Sequence, residues 1–129
     1  MPKKTCSVCG GEFQPDRMTG PRCKPCASAR AHSRRLEETY SITAEQYAQI
    51  LAAQGGACYI CRRKPGLKRL ACDHDHSCCP GPVSCGKCVR GLLCRSCNRD
   101  VLGHLKDDVA ALRRAIEYLT TPPARKVLK

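Results

Sequence analysis

The sequence predicts a small α+β fold that is held together by cysteine side chains more than by a large apolar core. The chain has 129 residues, with one Phe, four Tyr and no Trp, so few large side chains are available for burial. Thirteen cysteines supply the missing cross-links. Short strand-like and helix-like segments alternate between them, and the length allows one domain, or one small domain with an appended module.

The cysteines are candidates for disulfides or for metal ligands. The start of the chain, MPKKTCSVCG, lacks the apolar region of a secretory signal, and no apolar run approaches the roughly 20 residues of a membrane span. An intracellular chain keeps its thiols reduced, and an odd number of cysteines fits poorly with a closed disulfide set. We therefore expect metal binding, a cytoplasmic location and no membrane contact.

The charge balance points to a class of partner. The chain has 23 Lys and Arg against 11 Asp and Glu, which gives a formal net charge of +12. A basic intracellular chain most often meets nucleic acid, although a ribosomal or merely solubilising charge is the alternative.

Residues 1–40 predict a zinc ribbon followed by a basic helix. Two pairs, CSVC at Cys6–Cys9 and CKPC at Cys23–Cys26, are separated by 13 residues. Each pair offers two thiolates to one tetrahedral ion, so Cys6, Cys9, Cys23 and Cys26 are expected to bind one zinc. The ribbon could contact nucleic acid or serve as a staple. Residues 27–40 read as a polar helix, with His32 at the surface.

The next segment predicts a structural helix. Thr43 suits the N-cap and Gln46 lies three residues later, which is the pattern of a capping box. Tyr47 begins an apolar face with helical spacing. Gly55 or Gly56 can end the helix in left-handed geometry.

Two further cysteine pairs, CYIC and CRSC, are separated by 32 residues. Between them, KRLACDHDH and CVRGLLC read as short strands joined by a loop rich in Pro, Gly and Cys. One zinc on these pairs would clamp the two strands to a helix that starts near Arg95. Its ligands would be Cys58, Cys61, Cys94 and Cys97.

The last helix is predicted over 107–119, before a basic tail at 122–129. Its apolar stripe could pack within its own domain or against a second copy, so a homodimer stays open. The stripe consists of Leu105, Val109, Leu112, Ile116 and Leu119.

One set of residues suits phosphodiester chemistry. Asp73 and His74 end a strand, and Asn98 directly follows the second zinc-binding pair. Carboxylate and amide oxygens suit a hard cation such as Mg²⁺. His74 can accept a proton from water near neutral pH, so the arrangement suits hydrolysis by activated water.

These motifs, in the order CYIC, DHDH, VRGLLCRSCN and LG, resemble the recombination endonuclease VII branch of the HNH (ββα-metal, or His-Me finger) endonucleases. The resemblance covers about Ile42 to Leu119 and assigns residues 41–121 to a nuclease domain whose ββα-metal motif is flanked by helices. It implies Mg²⁺ or Mn²⁺ on Asp73 and Asn98, and His74 as general base. It also implies a structural zinc on Cys58, Cys61, Cys94 and Cys97. It further implies His76 near the scissile phosphate and a phage-encoded protein acting in a host bacterium.

The chain departs from the family pattern at two positions. Ala71 stands where a histidine is expected, and Val101 stands where an acid is expected, with Asp100 adjacent but directed elsewhere on a helix. The catalytic metal would then have fewer protein ligands and more waters. Nicking, double-strand cleavage and branched-DNA cleavage all remain open.

The loop SCCPGPVSCGKC adds a candidate third zinc site. Its cysteines are Cys78, Cys79, Cys85 and Cys88. Adjacent cysteines form an awkward chelate, so Cys72 or His76 could complete the site instead, and free or redox-active thiols are the alternative.

The sequence therefore predicts a metal-dependent DNA endonuclease with two zinc ions, a third in the loop, and contacts mainly to the DNA backbone. Arg90, Arg95 and Arg99 flank Asn98 and are the first candidates for phosphate contacts. A non-catalytic zinc-finger DNA-binding protein and a ribosomal zinc protein are the alternatives. Neither needs Asp73, His74 and Asn98 together.

Overall fold

Short strands and helices alternate along the chain. The computed structural model describes residues 2–16 and 20–128. Its elements, in order, are β1 (Lys4–Thr5), β2 (Glu12–Phe13), α1 (Lys24–Arg35), α2 (Ala44–Ala53), β3 (Ala71–His74), β4 (Val89–Leu93), α3 (Val109–Thr120) and α4 (Ala124–Val127). Two π-helical segments, Leu36–Tyr40 and Ser96–Gly103, follow α1 and β4. The predicted small α+β class is confirmed.

The described strands form two sheets of two strands each. β1 and β2 pair antiparallel, with Lys4 opposite Phe13 and Thr5 opposite Glu12. β3 pairs with β4. Both strands expected between the CYIC and CRSC pairs are therefore present, and a helical segment follows the second of them. Their assignment to a ββα-metal motif stays a prediction.

The chain forms two compact units that interleave in sequence. One unit comprises Met1–Ala53 and His74–Arg90, and the other comprises Gln54–Asp73 and Gly91–Lys129. The predicted division at residues 40/41 and 121/122 stays a prediction, and its positions 1, 17–19 and 129 lie outside the described residues.

In the first unit, α1 starts earlier than expected, at Lys24 instead of Ala27, with Pro25 in its first turn. It continues into the π-helical segment, which buries Leu36 and ends at Ser41 in left-handed geometry with φ 55°. His32, expected at the surface, is only half-exposed, because its ring packs edge-on against Tyr47 with centroids 4.6 Å apart.

The capping box of α2 is confirmed. The Thr43 backbone N–H donates to Gln46 Oε1 at 2.8 Å, and the Gln46 N–H donates back to Thr43 Oγ1 at 3.1 Å. Tyr47 is buried on this helix. Gly55 and Gly56 follow it with φ of 73° and 75°, as a glycine helix end requires.

The second unit has a small core. Leu92 in β4 is fully buried. The core residues are Ala57, Cys58, Leu70, Cys72, Leu92, Leu93 and Cys97. Three of these seven are cysteines, which agrees with a fold that depends on cysteine cross-links.

The last long helix begins at Val109 instead of Asp107. Lys106 and Asp107 have positive φ, 53° and 59°, so they form the turn before the helix. Asp108 is the N-cap, and its carboxylate accepts the Ala110 N–H at 2.9 Å. The predicted stripe is largely exposed, with Ile116 at 65% and Leu119 at 76%. The basic tail contains α4, and none of the described helices is long and apolar enough to cross a membrane.

Candidate metal centres and active-site strand

Twelve of the thirteen cysteines gather into three groups of four. We call them the N-terminal cluster (Cys6, Cys9, Cys23, Cys26), the central cluster (Cys58, Cys61, Cys94, Cys97) and the loop cluster (Cys78, Cys79, Cys85, Cys88). Within each group, all sulfurs lie within 4.8 Å of one another. These are the three sets predicted from the sequence, and each could hold a metal ion.

The sulfur spacing fits a tetrahedral thiolate site. Zinc–sulfur bonds of about 2.3 Å place the ligands about 3.8 Å apart. The Sγ–Sγ distances are 3.7 Å for Cys9–Cys23, 3.8 Å for Cys61–Cys94 and 3.9 Å for Cys78–Cys85. A disulfide would need about 2.05 Å. The donor set therefore fits zinc in all three clusters.

Backbone turns shape the N-terminal cluster. The Cys6 N–H donates to Gly11 O at 2.8 Å, and the Gly10 N–H donates back to Cys6 O at 3.0 Å. Backbone hydrogen bonds at Cys9 and Cys23 lower the pKa of Cys6 to about 6. The hydrogen bond to Cys23 raises the pKa of Cys26 to about 12.

The central cluster brings together a cysteine pair that precedes β3 and a cysteine pair that follows β4. The Arg62 N–H donates to Cys58 O at 3.0 Å, and Arg62 turns the chain with a φ of 65°. Burial opposes ionisation of Cys58, but backbone hydrogen bonds at Cys94 and Cys61 outweigh it and lower its pKa to about 6. Burial and the hydrogen bond to Cys94 raise the pKa of Cys97 to about 12.

The loop cluster uses both adjacent cysteines. The backbone N–H groups of Cys78 and Cys79 both donate to Asp75 O at 3.1 Å, which turns the two side chains toward Cys85 and Cys88. Cys72 and His76, the alternative ligands, are not members of the cluster. Backbone hydrogen bonds at Lys87 and Cys88 lower the pKa of Cys85 to about 7.

All three clusters share one electrostatic property. Each contains a thiol whose pKa is lowered and a thiol whose pKa is raised. In the loop cluster, the side-chain hydrogen bond with Cys85 raises the pKa of Cys78 to about 12, and the pKa of Cys79 is raised as well. Four sulfurs this close cannot all become thiolates unless a cation compensates them. A divalent ion that favours thiolate ligands would supply that charge.

Asp73 and His74 are buried at the end of β3, each with 5% exposure. His74 Nε2 lies 3.0 Å from Cys79 O and 3.0 Å from Gly81 O. Its ring also faces Tyr40, at a centroid distance of 6.4 Å, and His76, at 4.6 Å. His76 is exposed, just beyond the strand.

Asn98 lies in the π-helical segment Ser96–Gly103, immediately after the central cluster. Its backbone N–H donates to Cys94 O at 3.0 Å, and the Cys97 N–H donates to Cys94 Sγ at 3.5 Å. The central cluster therefore fixes the start of the segment that carries Asn98. Extended π-helical geometry is rare and is often found at functional sites.

The candidate phosphate-binding arginines are all exposed. Arg90 lies in β4, Arg95 precedes the π-helical segment and Arg99 lies within it. Arg90 also contributes to the lowered pKa of Asp75, after the larger effect of the Ser77 N–H, which donates to the carboxylate at 2.9 Å.

Sequence reasoning missed two buried polar residues that organise the site. Ser84 has 2% exposure; its N–H donates to Thr39 O at 2.8 Å and its carbonyl accepts Ser41 Oγ at 3.1 Å. Gln54 pairs with the Leu92 backbone in β4. Neither contact has a local signal, because Leu92 lies 38 residues from Gln54 and Ser41 lies 43 residues from Ser84.

The fold and these clusters define a class of protein: a small α+β chain stapled at cysteine clusters that can hold metal, with a buried Asp-His pair on a strand. Residues 33–121 match the family model of recombination endonuclease VII. The chain belongs to this family, which confirms the resemblance seen in the sequence. Membership implies a nuclease that acts on DNA.

Phage proteins are similar over nearly the whole chain. The Gene 59 protein of Mycobacterium phage D29 is 41% identical over 138 aligned residues, which cover 98% of this chain and 79% of the relative. The Gene 59 protein of Mycobacterium phage L5 is 39% identical with the same coverage. No solved structure matches the chain.

Proposed function

We propose that the chain is a metal-dependent endonuclease of the HNH (ββα-metal) type that hydrolyses phosphodiester bonds in DNA. Family membership and the adjacent, buried Asp73 and His74 support this proposal. The similarity to mycobacteriophage proteins supports a phage-encoded enzyme that works in the cytoplasm of its bacterial host.

The observation that carries the proposal is the pair of hydrogen bonds at His74 Nε2. Both partners, Cys79 O and Gly81 O, are carbonyl oxygens at 3.0 Å, and carbonyl oxygens only accept. Nε2 therefore carries the proton, and the lone pair of the neutral ring is on Nδ1. In this tautomer, Nδ1 is the atom that takes the proton of the attacking water.

Asp73 and Asn98 would hold the catalytic Mg²⁺ or Mn²⁺. Their donor set fits, because these ions prefer oxygen ligands and Mg²⁺ usually keeps several waters. Ala71 and Val101 supply no ligand, so more positions are left to water and phosphate. When bound, such an ion polarises the phosphate and stabilises the leaving oxygen.

Three exposed arginines and a second histidine are the proposed contacts to the substrate. Arg90, Arg95 and Arg99 are exposed and suit contacts to backbone phosphates, which position DNA without reading its sequence. His76 is exposed beside His74 and suits a contact to the scissile phosphate.

The test is cleavage of supercoiled plasmid, linear duplex and four-way-junction DNA with Mg²⁺, with Mn²⁺ and with chelator. His74→Gln keeps an N–H donor for the two carbonyls but removes the base, so we expect folded protein whose cleavage falls by about 100-fold or more. His104→Ala, at an exposed histidine, is the control and should cleave normally.

Undiminished cleavage by His74→Gln would overturn the role of His74. Salt-dependent DNA binding by the wild type, without cleavage in any divalent metal, would overturn the enzyme and favour a non-catalytic DNA-binding protein.

A further inference from the structure

The loop between β3 and β4, residues 75–88, has no helix or strand of its own, although the structure describes all of it. Pro80, Gly81 and Pro82 occupy its middle. An irregular segment of this length needs other interactions to hold it in one conformation. The loop is nevertheless fixed near both ends, since the Asp75 N–H donates to Cys88 O at 2.8 Å and Ser84 binds the backbone of Thr39.

Between these fixed points lies the loop cluster. Cys78–Cys85 and Cys85–Cys88 have Sγ–Sγ distances of 3.9 Å, and Cys78–Cys79 has 4.0 Å. These are close to the edges of a tetrahedral zinc–thiolate site. Cys78 and Cys85 are exposed, so apolar packing does not explain why the four sulfurs converge.

The same stretch of backbone contacts the proposed base. Cys79 is a member of the loop cluster, and its carbonyl is one of the two acceptors of the His74 Nε2 proton. Gly81, two residues later, supplies the other. The backbone conformation of residues 79–81 therefore decides which tautomer and orientation His74 adopts.

We infer that the loop cluster binds a zinc ion whose role is to hold the carbonyls of Cys79 and Gly81 against His74. The four loop cysteines are thus positioning residues for the general base, and the role assigned to them rests on the proposed function. The ion takes no part in the reaction. It fixes the orientation of the His74 ring, whose Nδ1 takes the proton of the attacking water.

Two readouts test the metal site without relying on activity. Elemental analysis should find three zinc ions per wild-type chain, and cadmium-exchanged protein should give three ¹¹³Cd NMR signals of the four-thiolate kind. Cys85→Ser should lose one zinc and keep two, while Cys85→His, which restores a zinc ligand, should regain it. Cys72→Ala, at the cysteine outside the clusters, should keep all three.

The positioning role has its own readouts. Long-range ¹H–¹⁵N NMR should show the Nε2–H tautomer of His74 in the wild type and in Cys85→His, and its loss in Cys85→Ser. In Cys85→Ser, kcat for DNA cleavage should fall by about 10- to 100-fold, while KM for DNA should be unchanged. Val83→Ala, an exposed substitution in the same loop, should leave zinc content and kcat at wild-type values.

Each outcome decides a separate point. Two zinc ions or two cadmium signals in the wild type would overturn the metal site, and this measurement needs no folded variant. Loss of one zinc with an unchanged His74 tautomer and kcat would overturn the positioning role. A wild type that never cleaves DNA would refute the proposed function, but the zinc count and the tautomer would still decide the link between the loop cluster and His74.

Discussion

The side chain of Gln54 and the backbone of Leu92 form a reciprocal pair of hydrogen bonds in the second unit. Gln54 Nε2 donates to Leu92 O at 2.8 Å, and the Leu92 N–H donates to Gln54 Oε1 at 2.8 Å. Gln54 Nε2 also donates to Ala57 O at 3.0 Å. Both partners are buried, so the side-chain amide takes the place that a neighbouring strand's peptide would occupy.

We expect Gln54→Leu to lower the free energy of unfolding by about 2 kcal/mol or more, because buried backbone groups of Leu92 lose their partners. Urea denaturation measures the change. Gln49→Leu, at an exposed glutamine of α2, is the matched control and should change stability by less than about 0.5 kcal/mol. Equal effects of the two substitutions would contradict the role of Gln54.

Gly86 marks a close approach of the loop to Ser41. A Cβ at Gly86 would lie 2.8 Å from Ser41 O, and the residue has a φ of +88°. We therefore expect Gly86→Ala to destabilise the protein by about 2 kcal/mol or more, through strain and displacement of the loop. Gly66→Ala, where a Cβ meets open space, should be close to neutral in the same thermal melt.

The capping box of α2 gives a third prediction. Thr43→Ala removes the acceptor of the Gln46 N–H and should cost about 1 kcal/mol. Thr43→Ser keeps the hydroxyl, so most of this stability should return. Urea denaturation of both variants makes the comparison, and equal losses would show that the hydroxyl contributes nothing.

Removal of the metal should unfold the chain. Because the core is small and each of the three clusters could hold a cross-linking metal ion, we expect excess chelator to abolish much of the far-UV circular dichroism. Adding Zn²⁺ should restore the signal, while Mg²⁺ should not, since it does not favour thiolate ligands. A native spectrum in protein shown to be free of zinc would refute this dependence.

The exposed arginines should contribute charge to DNA binding. Arg99→Ala is expected to weaken binding to all duplex sequences alike and to reduce the slope of log K against log salt by about 0.9. Fluorescence anisotropy over a salt series measures the slope. Arg125→Ala is the control, because it also removes one positive charge but lies in the basic tail, far from Asn98 in the sequence. It should leave the slope unchanged.

The sequence predicts those features that depend on local spacing. Cysteine pairs and the Thr43–Gln46 capping box lie within a few residues, so their geometry follows from the pattern. Spacing alone does not decide whether both Cys78 and Cys79 join the loop cluster, because their joint participation depends on two N–H groups that share Asp75 O. The sequence does not predict that α3 starts only at Val109, because Lys106 and Asp107 adopt left-handed geometry that residues other than glycine rarely adopt.

Contacts over long sequence separations could not be predicted. Gln54 finds its partner 38 residues away, and Ser84 binds Thr39 and Ser41 more than 40 residues earlier. Periodicity and propensity carry no information on such pairs. The carbonyl partners of His74 belong to an irregular loop whose path depends on these same contacts.

The Ser84–Thr39 hydrogen bond bears on how the molecule can be divided for expression or transfer to another protein. A fragment that begins at residue 41 would leave the loop beside His74 without the Thr39 carbonyl that holds Ser84. The family match begins at residue 33, ahead of that carbonyl. The shortest autonomous nuclease module should therefore include the π-helical segment Leu36–Tyr40, because Thr39 lies in it and its carbonyl holds the loop between β3 and β4.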